Sequence, residues 1–379
     1  MVRFERRERL ITRTFEDLTF PMFGFGLMRL PNNADGELDW EKSVELVRYG
    51  YDKGIRYFDT AWPYLGGNSE RIAGEALSVY PRNSYMLATK FPGHRVAPGT
   101  SPAEIFEQQL EKCKTDYFDF YLLHNVSETS MEVYDKQETL DYFLEQKRLG
   151  RIKHFGFSCH ARKENLEAFL DRHPGVFEFC QIQLNYLDWT LQDAKGKYEL
   201  LTERGIGVWV MEPVRGGKLQ NLPDALGAKL KELRPEDSYS AWAFRFLQAL
   251  PNVRIILSGM NEFWHVDENI NTFSDGKLLS EEETEALLEV AEKLKDSVPC
   301  TACRYCCDGC PMGLDIPFLI SLYNELKVGA GAAVNNQIKA LPEDKLPSAC
   351  IGCGQCSAAG PQSIDVPSVM KAFAELINS

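Results

Sequence analysis

Five polar or reactive side chains stand at the ends of short apolar runs in the first half of the chain: Asp59, Lys90, His124, Ser158 and Gln183. Successive members are separated by roughly the length of one strand and one helix, about 30 residues. The carboxyl ends of parallel strands meet on one face of a barrel, so these side chains are expected to converge there. An acid, a base and an imidazole held together could move a proton.

Tyr64 follows Asp59 on the same predicted loop and would lie over the same site. A phenol with a pKa of about 10 is a weak acid near neutral pH. The ammonium of Lys90 would stabilise the phenolate and lower its pKa, while Asp59 would hold the lysine in place. The imidazole of His124 could orient a carbonyl group. Together these residues could protonate an alkoxide as a hydride reaches the carbonyl carbon.

A second chemical signal comes from cysteine, since eight of the eleven cysteines lie in the last quarter of the chain. The first group reads Cys300-x2-Cys303-x2-Cys306-x3-Cys310-Pro311. This spacing is that of a bacterial 4Fe–4S site. Zinc sites usually pair two CxxC units at a longer separation. The motif therefore predicts an iron–sulfur cluster in preference to zinc.

The cysteine motif is repeated fifty residues later as Cys350-x2-Cys353-x2-Cys356-x3-Gly360-Pro361. Each copy leads into a short apolar helical stretch, so the tail is expected to be a small all-α domain with a ferredoxin-like duplication. Glycine stands at position 360, where the fourth cysteine of the second motif belongs. The two predicted clusters are therefore unequal.

In two-cluster ferredoxins the fourth cysteine of each motif binds the other cluster. Applied here, the rule gives one complete set of ligands: Cys310, Cys350, Cys353 and Cys356. The other cluster keeps three cysteines: Cys300, Cys303 and Cys306. The alternatives for this second site are completion by Cys307 or a non-cysteine ligand, a labile four-iron cluster, or a three-iron cluster.

The elements that must position the first group of residues alternate between strands and helices. A short hairpin is predicted within residues 10–30, and eight strand-like runs follow: FGFGLM, IRYFDT, YMLATK, FDFYLLH, KHFGFS, FCQIQL, IGVWVM and VRIILS. Eight strand–helix units predict an α/β fold of the (β/α)8 (TIM) barrel type. An open doubly wound sheet is the alternative, but the GxGxxG fingerprint that favours it is absent after the first strand.

Length and composition indicate how many domains the chain has and which partners it can bind. A chain of 379 residues is long enough for two domains, which we divide into a barrel at 1–279 and a helical iron–sulfur domain at 280–379. The net charge of -13 disfavours binding to nucleic acid or to an anionic membrane. No apolar run is long enough for a membrane span, and the first residues do not form a signal peptide. We therefore expect a cytoplasmic protein.

Several of these segments resemble the motifs of the aldo-keto reductases, in the order and spacing of that family. They are FDTAWPY at 58–64, LATK at 87–90, YLLH at 121–124, GFS at 156–158, QIQLNY at 181–186 and PVRGG at 213–217. The resemblance implies that Tyr64 is the general acid, that Lys90 and Asp59 tune it, and that His124 positions the substrate. With the cysteine-rich tail, the chain resembles the branch that carries a C-terminal 4Fe–4S ferredoxin-type domain.

The resemblance also implies a cofactor, because the family holds an extended nicotinamide dinucleotide across the barrel mouth without a Rossmann fingerprint. The residues implied in binding it are Ser158 and Gln183 at the carboxamide, Met211 on the nicotinamide ring, Gly216 in the PVRGG loop, and Glu268 and Asn269 on the adenine side. Two features depart from the family. Cys159-His160 replaces a common asparagine, and residues 258–265 lack the Lys/Arg cluster that grips a 2′-phosphate. The cofactor is thus NADP or NAD.

The sequence supports two functional hypotheses. The leading one is an oxidoreductase that reduces small aldehydes or ketones with NAD(P)H, its clusters being structural, regulatory or connected to a ferredoxin or another redox partner. The alternative is an iron–sulfur electron-transfer or docking protein that uses the barrel as a scaffold. Retention of all four residues of the tetrad (Asp59, Tyr64, Lys90 and His124) favours the enzyme, because a scaffold needs none of them.

Overall fold

The computed structural model describes residues 10–95, 100–222, 224–295, 298–327 and 337–377. Eight parallel strands form a closed barrel, in which the last strand pairs with the first through Leu257 and Gly24. The barrel strands are β3 (Phe23–Gly26), β4 (Tyr57–Asp59), β5 (Met86–Phe91), β6 (Phe118–Val126), β7 (Ile152–Cys159), β8 (Phe179–Gln183), β9 (Gly207–Met211) and β10 (Val253–Gly259). The predicted (β/α)8 barrel is confirmed, and each of the eight sequence runs supplies one strand.

Helices follow the barrel strands and cover the outside of the barrel. They are α1 (Trp40–Asp52), α2 (Ser69–Leu77), α3 (Pro102–Cys113), α4 (Met131–Tyr134), α5 (Gln137–Arg148), α6 (Lys163–Arg172), α7 (Asp188–Leu191), α8 (Ala194–Glu203), α9 (Asp224–Leu233), α10 (Tyr239–Gln248), α11 (Phe263–Ser274) and α12 (Glu281–Leu294). Capping residues in the sequence determine where some of these helices begin. Ser280 and Glu283 form a reciprocal capping box that begins α12.

The predicted N-terminal hairpin is confirmed as β1 (Thr12–Phe15) and β2 (Leu18–Pro21), which pair antiparallel. Its Phe15 ring lies 4.8 Å from Trp209 and its Phe20 ring 6.3 Å from Phe120, in a buried aromatic cluster inside the barrel. The hairpin therefore closes the end of the barrel where the strands begin. The opposite end of the barrel, where the strands finish, is therefore available for a functional site.

Among its described residues, the tail forms helices α13 (Ile316–Lys327), α14 (Gln355–Ala359) and α15 (Val366–Ile377) around a small core of its own. Helix α12 packs on α9, and its apolar side chains belong to the barrel core. The division predicted at 279/280 falls before this helix. We place the boundary after Leu294, because α12 buries its apolar face against the barrel.

Within the part of the chain that the structure describes, no helix combines the length and the apolar character needed to cross a membrane.

Candidate active site at the barrel mouth

A buried ion pair joins the ends of β4 and β5. The Lys90 ammonium lies 2.5 Å from Asp59 Oδ1 and donates a second hydrogen bond of 2.8 Å to the Thr60 carbonyl oxygen. The side chains of the pair are only 1% and 4% exposed. Burial raises the pKa of Asp59, and the charge and hydrogen bond of Lys90 oppose that rise. Loss of either partner would leave an uncompensated buried charge, which typically costs about 3–5 kcal/mol.

Tyr64 lies beside this ion pair on the loop after β4. Its ring centre is 4.9 Å from the Lys90 ammonium and 5.7 Å from the His124 ring. Burial raises the pKa of Tyr64 well above its usual value, and the negative charges of Asp59 and Glu212 add to the rise. The sequence led us to expect a lowered pKa. The structure differs because the Tyr64 hydroxyl is buried near two carboxylates, which favours its protonated form.

His124, at the end of β6, completes the tetrad. Burial and the neighbouring charges of His94 and Lys90 lower the pKa of His124 well below its usual value, so the imidazole is neutral. The His94 ring packs edge-on at 5.1 Å, and the Tyr134 hydroxyl donates a hydrogen bond to the His124 carbonyl oxygen. A neutral imidazole held in this way can donate one hydrogen bond to a carbonyl oxygen without carrying charge.

An open cavity of about 1850 Å³, counted with its open side, brings the predicted residues together. Those that border it are Asp59, Tyr64, His124, Ser158, Met211 and Gly216. Ser158 also accepts a hydrogen bond of 2.8 Å from the backbone N–H of Asn125. The strand ends therefore converge on one mouth, as their spacing in the sequence indicated.

Gln183 is placed differently from the expectation. Its amide nitrogen donates to Asp188 (2.6 Å) and its amide oxygen accepts from Gln362 of the tail (2.7 Å), so both ends are engaged. Gln181, two residues earlier on the same strand, borders the cavity instead and lies 3.5 Å from Asp59. The QIQ motif offers two glutamines on one face of β8, and the sequence could not tell which one lies nearer the ion pair.

Glu268 and Asn269 lie on α11, outside the described lining of the cavity. Asn269 is buried and donates a hydrogen bond of 3.3 Å to the Ser258 hydroxyl, which fixes α11 to the end of β10. Their role on the adenine side stays a prediction. Trp62, in the FDTAWPY motif, has the Lys112 ammonium 3.4 Å from its ring centre.

Three buried polar atoms on the cavity wall have no hydrogen-bond partner within the described residues: His124 Nδ1, Asn125 Oδ1 and Gln181 Oε1. Buried polar atoms are rarely left unpaired in native proteins, so these atoms point to a polar ligand. The carboxamide of a nicotinamide offers matching donors and an acceptor. Asn125 was missed in the sequence, and its backbone has a positive φ of 61° directly after His124.

The tail closes part of the same mouth. Thr301, Ala302, Cys303 and Tyr305 border the cavity from the first cysteine motif, and Gln362 does so from beyond the second. Nothing in the sequence indicated this arrangement. It places one predicted cluster loop on the cavity that Asp59, Tyr64 and His124 also border.

Arginines from the barrel hold this loop in place. Arg29 donates hydrogen bonds to the carbonyl oxygens of Thr301 (2.8 Å) and Ala302 (3.4 Å) and forms an ion pair with Glu212 (3.2 Å). Arg95 lies 4.2 Å from the ring centre of Tyr305. These contacts fix the inner side of the first cysteine motif against the barrel.

The PVRGG loop is the second attachment of the tail. Arg215 is fully buried, pairs with Asp188 at 3.1 Å and donates to the Pro299 carbonyl oxygen at 3.2 Å. Gly216 has a φ of +63°, and a Cβ atom there would lie 2.0 Å from the Thr301 carbonyl oxygen. Only glycine permits this close approach of the two backbones.

The four cysteines of the predicted complete set border one apolar cavity of about 350 Å³, counted with its open side: Cys310, Cys350, Cys353 and Cys356. Apolar side chains, among them Leu314, Ile316, Val366 and Met370, form much of the rest of its wall. An apolar chamber lined by four thiols fits a four-iron cubane, which sulfur ligands hold and apolar surroundings protect from water. This geometry supports ligation of the second cluster by Cys310.

The remaining cysteines gather at the loop that faces the barrel. Cys300 accepts a hydrogen bond of 3.4 Å from the backbone N–H of Ala302. Cys303 interacts with Cys300 and Cys306, and the side chain of Cys307 contacts that of Cys306. Within the described residues, no group of three or more His, Cys, Asp or Glu side chains is gathered around a single metal-ion position.

A parallel barrel with a proton-bearing tyrosine and a buried lysine–aspartate pair at its carboxyl end defines an oxidoreductase type of site. The family model for the aldo/keto reductase family matches residues 23–292, and that for a 4Fe-4S dicluster domain matches residues 299–364. The chain belongs to the aldo-keto reductase family and carries a C-terminal 4Fe–4S domain.

Known relatives agree with this assignment. The chain is 28% identical over 216 residues to "Probable aldo-keto reductase 1" of Glycine max, a match that covers 53% of this chain and 59% of that protein. It is 28% identical over 304 residues to the "Uncharacterized oxidoreductase YqkF" of Bacillus subtilis, covering 72% of this chain and 92% of that protein. The solved structure of aldo-keto reductase AKR11C1 from Bacillus halodurans matches with a TM-score of 0.60 at 27% identity, over 74% of this chain and 96% of that one.

Proposed function

We propose that this protein reduces small aldehydes or ketones with NAD(P)H and that Tyr64 donates the proton. The observation that carries the proposal is the cavity that Tyr64, His124 and Asp59 border together, with Lys90 paired to Asp59. Unpaired polar atoms of Asn125 and Gln181 lie on the same wall and suit the nicotinamide carboxamide. The residues present therefore fit a nicotinamide cofactor.

The chain's own residues then have separate tasks. A bound reduced nicotinamide supplies a hydride to the carbonyl carbon. His124 orients the carbonyl oxygen through a neutral N–H, and Tyr64 donates its proton to that oxygen. The ammonium of Lys90, 4.9 Å from the Tyr64 ring centre, stabilises the phenolate that remains. Asp59 fixes the position of Lys90.

A two-part experiment tests this function against the docking alternative. Titration of the anaerobically reconstituted protein with NADPH and NADH should quench its tryptophan fluorescence. A panel of small aldehydes and ketones should then drive oxidation of the reduced dinucleotide. Full cluster content without dinucleotide binding would instead support an electron-transfer or docking protein with the barrel as scaffold. A ferredoxin or another redox partner stays a prediction in either case.

The protonation states at the mouth predict a flat pH profile. The pKa of His124 is lowered and that of Tyr64 is raised, so neither group titrates between their ordinary values of about 6.5 and 10. We expect kcat/KM for carbonyl reduction at saturating NADPH to stay constant within about twofold from pH 7 to 9.5. A fall in kcat/KM above pH 8 would show that Tyr64 has a lowered pKa, as the sequence alone suggested.

Discrimination between the two dinucleotides should be modest. Residues 258–265 contain no lysine or arginine, and Arg215, which could have reached a phosphate, is buried in its ion pair with Asp188. We expect the Kd values of NADPH and NADH to differ by less than about thirtyfold, or about 2 kcal/mol. Fluorescence titrations measure both constants. A thousandfold preference, about 4 kcal/mol, would reveal a phosphate site elsewhere.

A further inference from the structure

The predicted cluster nearest the barrel mouth lacks its fourth cysteine ligand, although the backbone at the corresponding position could accommodate a cysteine. Gly360 occupies the place of the fourth cysteine in the second motif, with φ and ψ of -83° and 129° that any residue adopts. A Cβ atom there would meet only the Cys356 carbonyl oxygen, at 3.5 Å, which is an ordinary contact. The backbone therefore does not require glycine at this position.

No cysteine of the complete set is available to replace the missing one. Cys310 borders the apolar cavity together with the three cysteines of the second motif. The loop toward the barrel then provides Cys300, Cys303 and Cys306. Cys307 is the remaining thiol there, but it is adjacent to Cys306 in sequence and its side chain contacts the Cys306 thiol. Two adjacent residues are poorly placed to reach different irons of one cubane.

The position of the missing cysteine lies beside the active-site cavity. Pro361 and Gln362, the next residues after Gly360, border the cavity that also contains Tyr64 and His124. Cys303, one of the three remaining ligands, borders the same cavity. Gln362 is held there by hydrogen bonds to Gln183 (2.7 Å) and Gln192 (2.5 Å). One cysteine of the incomplete ligand set, Cys303, and the residues that follow Gly360 thus border the same open cavity as the proposed reaction site.

We propose that Gly360 leaves one iron of the cluster held by Cys300, Cys303 and Cys306 open to an exchangeable ligand from the barrel-mouth cavity. A carboxylate or hydroxyl oxygen suits such a position. A carbonyl compound that carries this group next to its carbonyl could contact the tail and Tyr64 at once. The substrate class that follows, 2-oxo acids and 2-hydroxy carbonyl compounds, rests on the proposed function, whereas the open ligand position does not.

The test uses full-length, anaerobically reconstituted protein and oxamate, a 2-oxo acid analogue that is not reduced. We expect oxamate to change the electron paramagnetic resonance spectrum of the reduced protein. We also expect air to convert part of the signal to that of a three-iron cluster. The Gly360→Ala variant should respond like the unaltered chain. The Gly360→Cys variant should lose both responses and keep its iron in air, because the added thiolate fills the position.

The Cys307→Ala variant distinguishes the proposed open ligand position from the main alternative, in which Cys307 is the fourth ligand. If Cys307 were the fourth ligand, oxamate would not change the spectrum of the unaltered protein but would change that of the Cys307→Ala variant. This result would overturn the proposal. We expect the unaltered protein to respond and Cys307→Ala to change nothing. These spectra do not depend on catalysis. A normal oxamate response without dinucleotide binding would refute the proposed reductase and leave the open ligand position supported.

Discussion

We expect the Tyr64→Phe variant to lose about a thousandfold in kcat for carbonyl reduction, within the range found for general acids. Its phenyl ring preserves the contact with the His124 ring, 5.7 Å away, and the position over the Lys90 ammonium. Only the hydroxyl that supplies the proton is removed. The Kd for NADPH, measured by fluorescence quenching, should therefore change by less than about twofold, since the loss falls on the chemical step.

Tyr80→Phe is the matched control for this variant. Tyr80 also loses a hydroxyl with a hydrogen-bond partner, Asp52, but it lies outside the cavity lining. Steady-state rates at saturating NADPH for the two variants would show whether the effect belongs to the site or to any lost tyrosine hydroxyl. Unchanged turnover in Tyr64→Phe would refute the assignment of the proton donor.

The barrel could be predicted from the sequence because its signals are local. Each strand is a short apolar run followed by a helical pattern, and eight such units leave few other closed arrangements. The polar strand ends Asp59, Lys90 and His124 were predictable for the same reason, since chain spacing alone sets which end of the barrel they reach. The sequence could not show which core α12 joins, because the apolar face of a helix does not identify its partner; in the structure that face packs in the barrel core.

The details of the cofactor site were less predictable, because they depend on contacts between distant parts of the chain. Gln181 and Gln183 share one strand face, and only the engagement of Gln183 by Asp188 and Gln362 separates their roles. The burial of Arg215 depends on Asp188 and on the Pro299 carbonyl oxygen, and the PVRGG motif indicates neither partner. The position of the tail over the mouth rests on the long-range bonds of Arg29, for which the sequence contains no periodic signal.

The second large effect is expected at Cys310. Cys310 follows Cys306 in its own motif, but the rule for two-cluster ferredoxins assigns it to the cluster of the second motif. The structure supports this assignment, since Cys310 lies on the wall of the apolar cavity with Cys350, Cys353 and Cys356. We therefore expect Cys310→Ser to lose the cluster of the second motif, a fall of about four irons per chain if that cluster is a cubane.

The properties of the surviving cluster identify which one was lost. The complete set should form the cluster that is stable in air, and the three-cysteine set the one that is sensitive to oxygen. If Cys310 crosses over, the Cys310→Ser variant keeps only the oxygen-sensitive signal, whereas Cys300→Ser, the matched control in the other set, keeps only the stable one. Iron analysis and electron paramagnetic resonance before and after exposure to air distinguish the two. A Cys300→Ser protein whose remaining cluster is sensitive to oxygen would show that Cys310 binds the cluster of its own motif, because the complete set would then include Cys300 and only the three cysteines of the second motif would be left.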